Sequence, residues 1–308
     1  MTTEPKKIGV SLHAASGTGN LVDDVVGFAR AAAAAGVGAV WLGQRFDYDA
    51  VALAGIVGRE VPGIRVGTSA VPIYGRHPLP LAAAAQTAQA ATHGRFTLGV
   101  ALSSKALVEP VFGVPHHAPA RHLAEYLTVL RTVFTTGGVD HEGETLTARS
   151  PLPTALPGAE PPDVLVAAMG PRALATTGEL GDGILPFLAG PRALAEEIVP
   201  TLHRSAARPQ RVVALVPAVV TDDRDTVRAA AEESLAFYDT IPSYRRVVAL
   251  SGAERAAELA LIGDEEAVAR GIEDYFAAGA TEVVVTRTDL GGPEAQHRTL
   301  RLLGRLAD

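Results

Sequence analysis

Residues 64–78 read IRVGTSAVPIYGRHP, and this stretch decides how the rest of the chain is interpreted. Its first half is rich in β-branched residues and turns to small residues at its end, which is typical of a buried strand. Its second half is a loop that ends at Pro78, where a helix is expected to begin. Small residues at a strand end let a flat ligand approach the backbone closely. Residues 67–70 therefore predict a strand end that faces a ligand.

The composition is that of a large globular chain. Its 308 residues are 47% hydrophobic and 20% charged, which suffices for a large core and allows one domain over residues 1–308. The net charge of −7 does not indicate a nucleic-acid partner. The chain has no cysteine, which excludes disulfides and cysteine metal sites and fits a cytoplasmic location. We expect neither a signal peptide nor a membrane segment, because no long uninterrupted apolar run occurs.

Apolar runs and helical segments alternate along the whole chain. The runs show no regular polar alternation, which indicates parallel strands buried on both faces. Eight strand–helix units in a chain of this length predict an α/β fold, the (β/α)8 TIM barrel, with insertions near residues 137–162 and 240–261. A doubly wound open sheet is the alternative. It would carry a glycine-rich fingerprint after the first strand, which residues 16–20, SGTGN, only approximate.

The active site of such a barrel lies at the C-terminal ends of its strands. The polar and small residues at these ends include His13, Gln44, Thr68, Ser69, Ala70, Tyr74, Arg76, Ser103 and Ser104. No carboxylate pair, metal cluster or nucleophile–base arrangement stands out among them, so a bound cofactor is expected to carry the chemistry. His13 is either a group that faces substrate or an ordinary histidine at the barrel mouth. Arg76 either neutralises a cofactor or is a solvated loop charge.

Residues 167–172, AAMGPR, carry the clearest local signal. A strand ends here, and Pro171 is suited to the first turn of a helix. The free amides and the positive dipole end of that turn bind anions. Gly170 would let a phosphate come close, and Arg172 would add a forked donor. The alternative interpretation is an ordinary tight turn from strand to helix.

Six short segments occur in an order similar to that of a known family. They are VWLGQRF (40–46), VGTSAV (66–71), RHP (76–78), GRFTLGV (94–100), AAMGPR (167–172) and ELGDG (179–183). In this order they resemble the bacterial luciferase-like monooxygenase superfamily, and within it the deazaflavin F420-dependent oxidoreductases. The resemblance spans nearly the whole chain.

The resemblance implies that a deazaflavin lies against a bulge at the end of the third strand. In the family's F420 members this bulge contains a non-proline cis peptide bond, which here falls between Ser69 and Ala70. The cofactor-binding residues implied in this way are Gln44, Thr68, Ser69, Ala70, Arg76, Ser103, Ser104, Ala168, Met169, Gly170, Pro171 and Arg172, the last three at the phosphate. Many relatives carry an acidic residue and a histidine where this chain has Gln44 and Arg45, which argues against sugar-phosphate oxidation.

We therefore expect an F420-dependent oxidoreductase that transfers a hydride between C5 of the deazaflavin and a small organic substrate. His13 is the first candidate for the proton donor or acceptor and Tyr74 is the second. Gln44 is expected to hydrogen-bond the ring or the substrate. Two alternatives stay open, an FMN-dependent luciferase-like monooxygenase and a non-catalytic barrel that binds F420 or a flavin. By analogy with the family we expect a homodimer.

Overall fold

The computed structural model describes residues 6–12 and 19–307. The strands are β1 Ile8–Leu12, β2 Ala39–Leu42, β3 Arg65–Thr68, β4 Val71–Pro72, β5 Phe96–Ala101, β6 Asp140–Glu142, β7 Thr147–Arg149, β8 Asp163–Ala167, β9 Gly183–Ile184, β10 Arg211–Val220, β11 Leu261–Gly263 and β12 Glu282–Thr286. The helices are α1 Leu21–Ala34, α2 Ala50–Glu60, α3 Pro78–Ala91, α4 Lys105–Phe112, α5 Pro119–Thr136, α6 Pro171–Leu180, α7 Pro191–Ala193, α8 Val199–Arg204, α9 Arg224–Asp239, α10 Pro242–Leu250, α11 Glu265–Ala277 and α12 Gly292–Ala307. None of these helices is both long enough and apolar enough to cross a bilayer.

Eight principal strands, each followed by at least one helix, make up the repeat. They are β1, β2, β3, β5, β8, β9, β10 and β12. The registers between neighbouring principal strands are parallel, for example Val66 beside Phe96 and Leu98 beside Val164. The fold is therefore the predicted (β/α)8 barrel.

The chain separates into two compact units. The first comprises the described residues of Met1–Trp41, Leu185–Pro200 and Arg211–Asp308. Its strands lie in the order β11-β10-β12-β1, all parallel. The Glu282 carboxylate is fully buried here and accepts hydrogen bonds from Trp41 Nε1 at 3.1 Å and Arg211 Nη2 at 3.1 Å. Trp41 is a core residue, as its position in the middle of a strand predicts.

The second unit comprises Leu42–Ile184 and Thr201–Gln210. Its parallel strands lie in the order β3-β5-β8-β9, and the short β4 pairs with β5. The antiparallel hairpin β6–β7 lies within the insertion predicted near residues 137–162. All of the site residues described below, from Gln44 to Arg172, belong to this unit. The assignment of a single domain to residues 1–308 stays a prediction.

Three local features differ from the sequence prediction. The strand expected in the first half of residues 64–78 ends at Thr68, the cis Ser69–Ala70 peptide bond follows it, and pairing resumes at β4. The helix α4 was not predicted, because Pro110 inside it is a helix breaker by sequence. Gly113 ends this helix at a φ of +66°. The insertion over residues 240–261 is partly helical as expected, but it leads into the unpredicted strand β11.

One glycine is required by a close backbone approach within the first unit. A Cβ atom built on Gly304 of α12 would lie 1.5 Å from the carbonyl oxygen of Ala35, which follows α1. Only a glycine fits such an approach, since backbone atoms cannot move aside as a flexible side chain can. This contact sets how the last helix packs against the first.

Candidate active site

The end of β3 presents one free hydroxyl. Thr68 is fully buried, donates its hydroxyl hydrogen to Gly99 O at 2.9 Å and accepts from Gly99 N at 2.8 Å. Its side chain therefore ties β3 to β5. Ser69 donates its backbone N–H to Leu42 O at 2.8 Å, and the cis bond to Ala70 follows it, as the resemblance predicted. Ser69 Oγ is buried without a partner among the described residues, so this hydroxyl is available to a ligand.

Gln44 organises the loop between β2 and α2. Its amide Nε2 donates to Arg45 O and to Tyr48 O, both at 2.6 Å, and its Oε1 accepts from Ala50 N at 3.1 Å. These bonds engage both amide hydrogens. Only the second lone pair of Oε1 is left for a ring or a substrate, so the predicted ligand-binding role of Gln44 is limited to accepting one hydrogen bond.

Next to this loop lies a cavity of about 410 Å³, which we call the aromatic cavity. Its walls come from residues 44–49 except Asp47, from residues 71–76 except Ile73, and from Leu107 and Phe112 near α4. The Phe46 and Phe112 rings lie 6.5 Å apart, centroid to centroid, with an interplanar angle of 48°. Val71 directly follows Ala70 in the chain, so the cavity adjoins the strand end that carries the cis bond.

Arg76 forms an ion pair at the rim of the aromatic cavity. Its Nη1 donates to Asp49 Oδ2 at 2.6 Å. Asp49 also caps α2, since its Oδ1 accepts from the amides of Val51 and Ala52, both at 2.9 Å. Desolvation acts to raise the pKa of Asp49, but the bonds from the Ala52 amide and from Arg76 outweigh it and lower that pKa. Arg76 thus faces the cavity with its charge balanced.

Tyr74 is buried, although it lies in the loop between β4 and α3, where an exposed side chain would be expected. Its ring stacks on His122, with the centroids 4.5 Å apart at an angle of 25°, and His116 lies 4.9 Å away on a tilted ring. Its hydroxyl donates to His117 O at 3.2 Å. Burial raises the pKa of the Tyr74 phenol. A proton donated by Tyr74 would first have to leave this hydrogen bond.

The hydrogen bonds around His122 fix its tautomer. The Thr145 hydroxyl donates its one hydrogen to Glu125 Oε2 at 2.7 Å, so it can only accept at the 3.1 Å contact with His122 Nδ1. The proton therefore sits on Nδ1, and Nε2 is a bare acceptor, buried without a partner among the described residues. Burial lowers the pKa of His122, and His116 lowers it further, against the opposing effect of Glu125. His122 is accordingly a neutral base behind Tyr74.

Glu125 fastens the β6–β7 hairpin to α5. Its carboxylate accepts from the backbone amides of Glu144, Thr145 and Leu146 at 2.9–3.1 Å, in addition to the Thr145 hydroxyl. Desolvation opposes ionisation, but these four bonds lower the pKa of Glu125. His77 adds a second tie, because its Nε2 bonds Thr147 O at 2.9 Å. The insertion is thereby joined to the helix that carries His122.

A second cavity, of about 540 Å³, lies where two helices begin; we call it the anion cavity. It is lined by Leu102, by residues 118–121 at the start of α5 and by residues 170–173 at the start of α6. Neither helix has a side-chain cap bond, so the free amides of both first turns stay available. A Cβ atom added to Gly170 would meet nothing within 4 Å. Two helix N-termini and Arg172 favour an anionic group here, and Arg121, which forms an exposed 3.7 Å ion pair with Glu144, lines the same cavity.

The sequence profile of the luciferase-like monooxygenases matches residues 5–295, which is nearly the whole chain. The chain belongs to the luciferase-like monooxygenase family. Among its relatives, an uncharacterised protein of Mycobacterium tuberculosis is 28% identical over 242 residues, covering 72% of this chain and 71% of that protein. A second M. tuberculosis protein, named provisionally as a coenzyme F420-dependent oxidoreductase, is 28% identical over 227 residues, covering 68% of this chain and 65% of that protein.

Several solved structures have the same fold. An F420-dependent secondary alcohol dehydrogenase with an F420–acetone adduct superimposes with a TM-score of 0.79 at 19% identity, covering 98% of both chains. The F420-dependent tetrahydromethanopterin reductase of Methanopyrus kandleri gives 0.76 at 20% identity, again covering 98% of both chains. The oxygenating constituent of 3,6-diketocamphane monooxygenase from Pseudomonas putida, bound to FMN, gives 0.75 at 15% identity and the same coverage. Solved proteins with this fold thus include F420-dependent enzymes and one that binds FMN.

Six of the predicted site residues of this luciferase-like protein line one of the two cavities. Gln44, Tyr74 and Arg76 line the aromatic cavity, whereas Gly170, Pro171 and Arg172 line the anion cavity. Ser103, at a φ of +57°, and Ser104, the residue before α4, follow Leu102 of the anion cavity. Ala168 is buried at the end of β8, and Met169 leads from it to Gly170. His13 lies outside the described residues.

Sequence reasoning missed several residues that shape the two cavities. Pro119 and Arg121 repeat the pattern of Pro171 and Arg172, a proline at a helix start followed closely by arginine, and this signal was readable. His122 and Glu125 are three residues apart and so share a helix face, which was also readable. Phe112 carried no signal, because the helix that positions it was not predicted.

Proposed function

We propose that this protein is an F420-dependent oxidoreductase that transfers a hydride between C5 of the deazaflavin and a small organic substrate. The observation that carries the proposal is the anion cavity, which is lined by two uncapped helix N-termini, by Arg121 and Arg172, and by Gly170 with open space above it. An anion with a phosphate group is the ligand for which this combination is suited. The F420-dependent relatives support the choice of cofactor.

The residues present fit such a cofactor in two places. Gly170 and the first turn of α6 would hold the phosphate, with Arg172 and Arg121 balancing its charge. The free hydroxyl of Ser69, buried beside the cis bond, would hydrogen-bond a polar edge of the ring. When bound, F420 supplies a two-electron hydride donor or acceptor, and the protein supplies position and a proton.

Three groups are candidates for the proton partner in the proposed mechanism. His13 stays the first candidate. Tyr74 lines the aromatic cavity, but its hydroxyl hydrogen is engaged by His117 O. The bare Nε2 of His122, stacked behind Tyr74, can accept a hydrogen bond or a proton. Turnover of His13→Ala and His122→Gln, each measured against pH, separates the two histidines, because the proton partner alone shifts the pH profile.

An FMN-dependent monooxygenase is the second candidate function. The FMN-bound structural neighbour favours it, since FMN also carries a phosphate that the anion cavity would suit. A barrel that binds F420 or a flavin without catalysis is the third. It differs from the other two in showing no turnover with any substrate.

Binding of F420 and FMN, measured side by side by quenching of cofactor fluorescence, tests the proposal. We expect F420 to bind at least about tenfold more tightly than FMN, a difference of about 1.4 kcal/mol. Arg172→Ala is expected to weaken F420 binding, whereas Arg245→Ala, an exposed arginine in the other unit, serves as the matched control. Tighter binding of FMN than of F420 would instead support the second candidate function, an FMN-dependent monooxygenase that activates oxygen. A panel of enones, imines and alcohols with reduced or oxidised F420 then tests for turnover.

A further inference from the structure

The amide hydrogens of Gln44 and the hydroxyl hydrogens of Tyr48 and Tyr74, which line the aromatic cavity, are already donated within the protein. Both amide hydrogens of Gln44 are engaged by the loop backbone. The Tyr48 hydroxyl donates to Gly43 O at 2.8 Å, and the Tyr74 hydroxyl donates to His117 O. A polar ligand entering this cavity would lose bonds to water without gaining donors from these side chains.

The charged side chains of the cavity are paired in the same way. Arg45 makes a two-pronged contact with Asp47, through Nε at 2.8 Å and Nη2 at 2.9 Å. Arg76 is paired with Asp49. Asp47 itself does not line the cavity, so it neutralises Arg45 from outside. Asp47 and Asp49 therefore balance the charges of Arg45 and Arg76, and these four side chains give the cavity no net positive charge that would attract an anionic substrate.

The remaining lining is apolar and includes an unusually exposed aromatic residue. The Phe46 side chain is 81% exposed, although it faces Phe112 across the cavity. Leu107, Val71 and Pro72 complete this apolar wall. Exposed aromatic surface of this kind gains free energy when an apolar ligand covers it. A cavity with apolar walls and engaged polar groups selects a ligand by its apolar body.

We propose that the aromatic cavity binds the body of an uncharged, largely apolar substrate with a flat or ring-shaped skeleton. The proposal rests on the proposed function, because it assigns the substrate class to the site whose cofactor the anion cavity would hold. Anionic substrates such as phosphates and carboxylates are disfavoured, since they would be desolvated beside paired charges.

A matched pair of probes tests this assignment without cofactor. 2-Acetonaphthone and 2-naphthoate share one aromatic body, but the first is neutral and the second carries a carboxylate. Calorimetric titration of the cofactor-free protein is expected to give a dissociation constant at least about tenfold lower for 2-acetonaphthone. Equal or tighter binding of 2-naphthoate would overturn the proposal.

Two variants test why the aromatic cavity should prefer 2-acetonaphthone to 2-naphthoate. Phe46→Ala is expected to weaken 2-acetonaphthone binding about tenfold, whereas Phe237→Ala, another exposed phenylalanine at 64% exposure in the other unit, is expected to leave it unchanged. Asp47→Asn frees Arg45 and is expected to strengthen 2-naphthoate binding about threefold or more without affecting 2-acetonaphthone. Unaltered binding in Phe46→Ala would show that the probe sits elsewhere and would refute the assignment.

The outcome is separable from that of the proposed function. F420 affinity is measured in parallel, and Phe46→Ala is expected to retain it, because Phe46 does not line the anion cavity. Loss of the probe preference with intact F420 binding refutes the substrate class alone. Absence of F420 binding with an intact probe preference refutes the cofactor assignment alone.

Discussion

Replacing Gly170 with aspartate is the sharpest test of the anion cavity. Gly170 has a φ of −88° and a ψ of 148°, which any residue adopts, and a Cβ atom there would meet nothing within 4 Å. The fold should therefore tolerate the change. A carboxylate at this position would face a bound phosphate at a distance on the order of 5 Å. At an effective dielectric constant of about 20 the repulsion is about 3 kcal/mol per pair of charges.

A penalty of that size weakens cofactor binding by at least about 100-fold. Fluorescence titration with F420 measures it, and thermal melting reports whether the fold is intact. Gly170→Asn has nearly the same size without the charge, so it should retain most of the affinity. Gly27→Asp makes the same substitution at an exposed helical position with open space around it, so it should have no effect on binding. Wild-type affinity in Gly170→Asp, or an equal loss in Gly170→Asn, would refute the charge-based reasoning.

Three further predictions concern stability and assembly. Glu125→Gln should lower the free energy of unfolding by about 2–3 kcal/mol in urea titrations, because charge-assisted bonds to the hairpin are lost. Glu144→Gln is the control. It should change the free energy of unfolding little, because the 3.7 Å ion pair of Glu144 with Arg121 is exposed. Folding lowers the pKa of Glu125, so its contribution to stability is complete above the unfolded-chain pKa of about 4.3 and is lost as the pH falls through the folded-state pKa. The difference in unfolding free energy between the wild type and Glu125→Gln should therefore shrink in acid. A difference that does not change with pH would contradict this. Gly304→Ala should lower the free energy of unfolding by about 3 kcal/mol or more, because its Cβ would clash with Ala35 O. Gly27→Ala, at an exposed helix position, should raise the free energy of unfolding by about 0.5–1 kcal/mol. Equal effects of the two substitutions would disprove the close approach. Light scattering after size-exclusion chromatography should give about twice 31.8 kDa if the expected homodimer forms, and a monomer mass would reject it.

Local sequence patterns determined the repeat and the position of the strand ends. Apolar runs such as VVVT of β12 and the proline that opens α6 are readable because their causes lie within a few neighbouring residues. The helix caps Asn20 and Asp49 act over two or three residues in the same way. The order of short segments along the chain also gave the resemblance to the luciferase-like family. That resemblance predicted the cis bond after Ser69.

Only the tertiary structure decided which of these strand-end residues are free to act. Gln44 and Tyr74 are polar in the sequence, but backbone carbonyls brought near them by folding engage their hydrogens. The partnership of Arg121 with Arg172 depends on two helix starts that are about 50 residues apart in the chain and meet at one cavity. Such pairings depend on long-range packing, which periodicity over a few residues does not encode. The sequence therefore predicted which strand ends form the site, and the tertiary structure decided which side chains there remain free to bind a ligand.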